Sequence, residues 1–213
     1  MEEKEQKVSE VSLRTAVISV VVVIVVVVSV GLYLGNTYFW KPVEEKNILE
    51  KKFAVAEQVY QKYPQSKDAA LAYAIALYTQ GEEEEASKRF KELETRFPKD
   101  TAVLINYAVF KKEAGDIKEA KRLLEKVLKQ SPYFVMANVN YGMILREEGK
   151  NDEALAAFDK ALKIEPGAAD ILVEKAKVYV AMKDTQKAKE NLQKAISLVP
   201  DYEDAVKILN ELK

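Results

Sequence analysis

The chain has 213 residues, a length that suits one or two domains, with 33 basic and 34 acidic side chains and a formal net charge of −1. From Lys41 onward basic and acidic residues are equal in number, so the excess of positive charge that a nucleic-acid binder needs is missing. Cysteine and histidine are both absent, which removes disulfide frameworks, thiol nucleophiles, the usual zinc sites and the commonest general base.

A charged tail, residues 1–15, precedes a window that carries no charge from Thr15 to Trp40. Within it Ala16–Leu34 reads AVISVVVVIVVVVSVGLYL, free of proline and amide side chains. As a helix these residues span about 28 Å, close to the roughly 30 Å hydrocarbon thickness of a bilayer. A strand of that length would need turns that the sequence lacks. Tyr38, Phe39 and Trp40 follow, as in an interfacial aromatic belt. Residues 16–40 are therefore expected to form a single membrane-spanning anchor in contact with the lipid bilayer. A cleaved signal peptide is the competing reading, but its apolar core is normally shorter, and Ser29-Val30-Gly31 is a poor cleavage site. Basic residues flank both sides, so the positive-inside rule is nearly balanced. The short tail with Arg14 fits a cytoplasmic amino terminus, which places the large domain outside the cytoplasm.

Residues 43–66 come next, with Ile48, Leu49, Phe53, Ala56, Val59 and Tyr60 on one helical stripe that ends at Pro64. Pro64, Pro98, Pro132, Pro166 and Pro200 are each 34 residues apart, and Gly81, Gly115 and Gly149 keep the same interval. So do Ala86, Ala120, Ala154 and Ala188. Self-similarity at this period marks a solenoid, and the apolar spacing inside each period is helical.

This pattern resembles the tetratricopeptide repeat family, whose 34-residue units are helix-turn-helix pairs. The resemblance divides residues 67–202 into repeats at 67–100, 101–134, 135–168 and 169–202. Small residues of the first helix fall on Ala74, Ala108, Gly142 and Ala176, and large residues of the second on Phe90, Leu124, Phe158 and Leu192. The fold class implied is an all-α solenoid preceded by one transmembrane helix. Residues 43–66 read as a half-repeat cap and residues 203–213 as a carboxy-terminal capping helix. The sequence departs from the family where Ala70, Leu104, Asn138 and Leu172 replace its usual tryptophan, where Lys111 stands at an apolar site and where Lys183 replaces the turn glycine.

Chemistry-bearing motifs are few. Glu82–Glu85 complements a helix amino terminus, and consecutive helical residues point apart rather than converging on a metal. Gly149-Lys150 lacks the rest of a phosphate loop. No base stands beside a nucleophile, so no catalytic residue, metal or cofactor is expected.

A second face of the first helices is more informative. Repeat one carries Leu71, Ile75 and Tyr78 there, and repeat two Ile105, Val109 and Lys112. Repeat three carries Val139, Met143 and Arg146, and repeat four Val173, Lys177 and Val180. Asn106 and Asn140 lie beside the stripe. In the resembled family these positions line a concave groove that holds a partner segment. Members that read a terminal carboxylate place basic residues or asparagine where Leu71 and Ile75 stand, so that mode looks absent. Two readings of the stripe remain, a partner groove or a surface buried by tight curvature, and a contiguous apolar exposure favours the groove. The function expected is a membrane-anchored adaptor that takes a helical or extended apolar protein segment, with Lys112, Arg146 and Lys177 open to an acidic flank. The alternative is a homo-oligomeric membrane scaffold built by self-association of the repeats, without a peptide ligand.

Overall fold

The computed structural model describes residues 45–212. The tail, the span expected at 16–40 and Lys213 lie outside the described residues. Among the described residues no helix is long and apolar enough to cross a membrane. The chain divides into two compact units, residues 1–52 and 53–213, and the repeat array lies wholly in the second.

The described residues form ten helices and no strand. These are α1 (Glu45–Lys62), α2 (Lys67–Gln80), α3 (Glu83–Arg96), α4 (Thr101–Glu113), α5 (Ile117–Gln130), α6 (Val135–Glu147), α7 (Asn151–Ile164), α8 (Ala169–Ala181), α9 (Thr185–Leu198) and α10 (Glu203–Glu211). Four pairs, α2/α3, α4/α5, α6/α7 and α8/α9, pack most extensively, and each pair then packs on the next.

Local chemistry sets the ends of these helices. Ser66, Asp100, Asp116 and Asp184 each accept a hydrogen bond from the backbone N–H three residues on, satisfying a donor that the first turn leaves open. Between the helices of a pair the chain turns through a left-handed residue, Gly81, Gly115 or Gly149, at φ +85°, +79° and +74°. The next N–H then closes back onto a carbonyl five residues earlier, as in Glu82 to Leu77 at 2.9 Å and Asp116 to Lys111 at 2.8 Å. Lys183 makes the same turn at φ +62°, where Asp184 N–H reaches the Tyr179 carbonyl at 2.9 Å. The missing glycine therefore changes the cost of the turn and not its shape.

Packing within a pair depends on small residues at the crossing. Ala74, Ala108 and Ala176 on first helices and Ala86, Ala120, Ala154 and Ala188 on second helices are all at most 1% exposed. At Gly142 a Cβ would stand 2.8 Å from Phe158 Cε1, so the ring occupies the space that alanine fills elsewhere. Large residues one turn on, Phe90, Leu124, Phe158 and Leu192, close the gaps at no more than 1% exposure. The other departures from the family pattern are also accommodated. Asn138 is buried, and its Nδ2 donates to the carbonyls of Pro132 and Phe134 at 3.0 Å, tying the start of α6 to the preceding loop. Lys111 sets its ammonium over the rings of Tyr107 and Phe110, 5.6 and 6.0 Å from their centroids, and 3.4 Å from Asp116.

Neighbouring repeats are also stitched by charge on the outer helices. Burial pushes the Glu94 carboxyl up, but hydrogen bonds from Lys126 and Arg122 of the next repeat outweigh it and hold the group below its ordinary range. At the starts of the first helices α2 and α4, the Lys67 ammonium, 2.7 Å away, holds Asp100 below its ordinary range.

The turns can be tested by exchange. Lys183→Gly should raise stability by roughly 0.5–1 kcal/mol, the left-handed penalty less glycine's entropy cost, and the melting midpoint by about 1–4 °C. Gly115→Ala should lower it by a comparable amount, although nothing lies within 4 Å of the added Cβ. Circular-dichroism melts of the two variants must move in opposite directions for this account of the turn to stand.

Candidate functional site

First helices touch one another across repeats, α2 to α4, α4 to α6 and α6 to α8, a contact that second helices do not match. The side on which the first helices crowd together is the inside of the curve. The stripe singled out in the sequence faces this side, but the structure divides it into three kinds of residue.

Leu71, Ile105 and Val173 are internal, at 8%, 3% and 1% exposure, and belong to the packed core. They are core residues and do not line the groove expected from the sequence. Because first helices approach each other closely, the leading stripe position is enclosed in repeats one, two and four, while its equivalent in repeat three, Val139, is half-buried. A second set is shared between core and surface. Ile75 and Tyr78 are half-buried against the core of the first repeats, with the Tyr78 ring edge-on to Phe110 at 5.4 Å. Burial raises the Tyr78 hydroxyl above its ordinary pKa. Val139 and Met143 pack partly against the cluster around Phe158, and Val109 is likewise half-buried. Val180 is the most open of the predicted apolar positions, at 38% exposure.

The basic positions form the third set, and they are not open to an acidic flank. Lys112 reaches Glu147 of the next repeat at 3.1 Å. Arg146 lies 3.4 Å from Glu174, again one repeat on, and Lys177 lies 2.7 Å from Glu174 and 3.7 Å from Asp204 of α10. The Arg146 Nε and Glu174 Oε2 atoms are buried and sit close without a well-aligned hydrogen bond, so this contact is chiefly electrostatic. These carboxylates lie just off the stripe, and stacking of the repeats brings them to it. Asn106 and Asn140 turn their Nδ2 groups onto their own helices, donating to the carbonyls of Ala102 and Met136 at 2.8 Å.

One residue that belongs to the inner face was missed from the sequence. Met136 is 57% exposed, one turn ahead of Val139 and Asn140 and two ahead of Met143, so extending the stripe one turn back would have found it. Together Ile75, Val109, Met136, Val139 and Met143 make an accessible apolar strip across three repeats, bounded toward the carboxy terminus by the ion-paired positions.

The outer side offers charge in place of apolar surface. A cleft of about 680 Å³ there is lined by Asp116, Ile117, Lys118, Glu119, Lys121, Arg122, Glu125 and Glu148. Its charges are largely mutual: Lys121 pairs with Glu148 at 2.8 Å and Arg122 with Glu119 at 2.6 Å. Tyr141 donates to Glu125 at 3.0 Å, and burial, aided by that carboxylate, pushes its hydroxyl pKa up to about 12.

Three family models match consecutive parts of the chain. Two described as tetratricopeptide repeat match residues 111–169 and 145–212, and one described as YpiA-like, C-terminal tetratricopeptide repeats matches residues 64–133. No curated protein matches the sequence. Among solved structures, the thermophilic TPR protein TTC0263 of Thermus thermophilus is 18% identical with a TM-score of 0.67, covering 77% of this chain and 90% of its own. YrrB, described as a TPR protein with an unusual peptide-binding site, is 22% identical with a TM-score of 0.60, covering 79% of this chain and 87% of its own. MamA from Desulfovibrio magneticus RS-1, from residue 41 to its end, is 23% identical with a TM-score of 0.61, covering 68% and 82%. At these identities the likeness is one of fold.

The division of the stripe has a direct consequence for mutation. Met136→Asp should leave the melting midpoint within about 2 °C of the parent, since a change at an open surface costs little. Val139→Asp should lower it measurably, and Phe158→Asp should cost several kcal/mol, as for a charge placed in a closed core. A Met136→Asp protein that melts as early as Phe158→Asp would make the whole strip internal.

Proposed function

Because this chain belongs to the tetratricopeptide repeat family, we propose that it is an interaction adaptor whose inner face receives a segment of another protein. The observation that carries this reading is the apolar strip ending in the exposed Met136, set on rigid helices and flanked by amides and ion pairs. A methionine suits such a surface because its unbranched, polarizable side chain adapts to different apolar partners. The occupant is a helical or extended segment with apolar side chains on one face. An acidic flank on that segment is not part of the reading, since Lys112, Arg146 and Lys177 already have carboxylate partners. The description of YrrB as having an unusual peptide-binding site supports a peptide ligand on this fold. The adaptor is non-catalytic, and its chemistry is that of burial and shape.

Residues 16–40 hold this adaptor at a bilayer, with the repeats on the non-cytoplasmic side. Support for the anchor comes from the sequence alone, in the uncharged Ala16–Leu34 run and the aromatic residues after it. The full chain should resist carbonate extraction and lose its repeats to protease added outside intact cells. Repeats that stay protected until lysis would place the adaptor on the cytoplasmic face, and release by carbonate would remove the anchor.

The groove is tested by photo-cross-linking in the full chain. A photoreactive amino acid at Met136 should capture a discrete partner in cells, whereas the same group at Lys160, exposed on α7, should not. Equal capture from both positions, or capture from Lys160 alone, would move the interaction off the inner face.

A further inference from the structure

In the 34-residue period the two outermost described helices of the array have opposite registers. Helix α1 has the register of a second helix: Ala56 and Val59 stand one period before Phe90 and Leu93. In the complete repeats these two positions are at most 2% exposed, enclosed between the first helix of the same repeat and that of the next, as Phe158 is against Gly142 and Phe90 against Tyr107 and Phe110. On α1, Val59 is 40% exposed and its neighbour Val55 60%. A first helix preceding α1 in register would have to turn at Asn47, the equivalent of Gly81. The backbone of α1 is instead helical from Glu45 through that position.

Helix α10 has the complementary register, that of a first helix. Its Val206 is the equivalent of Ala70, Leu104, Asn138 and Leu172, none more than 5% exposed, yet Val206 is 38% exposed. Among the described residues no second helix covers it.

We infer that these surfaces are each other's occupants: α10 of one copy lies on α1 of a second copy, in the place that a first helix takes within a complete repeat, and completes a composite repeat. Charge favours the pairing. Helix α10 carries Glu203, Asp204 and Glu211 against Lys207, whereas α1 carries one more lysine than glutamate. At the crossing, where complete repeats oppose two small residues, the joint brings Lys52 to Asn210, with Glu211 beside it. That contact is polar and bulkier than an alanine pair, so the joint is looser than the covalent repeats and comes apart reversibly. A head-to-tail contact of this kind does not close on itself, and successive copies form an open string. The inner face of each copy stays free, so the inference stands independently of the partner groove.

The chain has no cysteine, so single thiols can be introduced cleanly. Full-length Val59→Cys and Val206→Cys variants are oxidised mildly in detergent solution, separately, mixed, and combined in one chain. Each alone should remain monomeric, the mixture should give a disulfide-linked dimer, and the double variant should give a ladder of dimers, trimers and longer species. Val206→Cys mixed with Lys160→Cys should give none. Circular dichroism should show all variants folded as the parent. Self-linking of Val59→Cys alone would mean a two-fold contact between α1 helices and would overturn the proposal. Absence of both dimer and ladder in folded variants would overturn it as well, as would equal linking through Lys160→Cys.

Discussion

Where the two helices of a repeat cross, a residue almost without side chain on the first helix meets an alanine on the second: Ala74, Ala108, Gly142 and Ala176 against Ala86, Ala120, Ala154 and Ala188. This meeting fixes the separation of the backbones, and the rest of the array follows from it. With the helices this close, a side chain one turn along must be large enough to fill the widening gap, as Phe90 and Phe158 do. The exchange between positions is visible at Gly142, where the missing methyl group is taken up by the Phe158 ring. Lys52 and Asn210 occupy this place in the two outermost described helices, α1 and α10.

Close pairing within repeats draws the first helices together between repeats, and that determines what the inner face can expose. Leu71, Ile105 and Val173 are consumed in joining one repeat to the next. What is left accessible lies a turn or more away from that seam, at Val109, Met136 and Met143. The same stacking sets carboxylates beside the basic residues. An inner face that reads in sequence as apolar with three free cations is in the folded protein an apolar strip followed by a neutralised polar segment.

The 34-residue period was legible because proline, glycine and alanine mark backbone requirements, which do not depend on distant contacts. Left-handed turns at Gly81, Gly115 and Gly149 and close crossings at the alanines are local necessities. The inner face was less legible because its character depends on how far one repeat rotates on the next, and helical periodicity carries no information about that angle. Leu71 and Ile75 are equivalent as apolar letters on one stripe, yet the first is enclosed and the second half-open. Glu147 and Glu174 could not be assigned to Lys112 and Arg146 from sequence spacing alone, since the pairing is made by stacking. Met136 escaped for a simpler reason: it occupies the first turn of α6, ahead of where the stripe was begun.

Along the inner stripe, ion pairs join each repeat to the next from the second repeat onward: Lys112 to Glu147, Arg146 to Glu174 and Lys177 to Asp204. At the place of Lys112 and Arg146 the first repeat carries Tyr78, packed edge-on against Phe110. A solenoid bends by changing the spacing between neighbouring units, so the ion pairs act as springs in parallel with the apolar seam. Their strength falls as ionic strength rises, while that of the seam does not. The inner edge of the molecule is consequently a rod of two compliances. Its first joint has an elasticity set by ring packing, and the later joints stiffen in dilute salt and soften in concentrated salt.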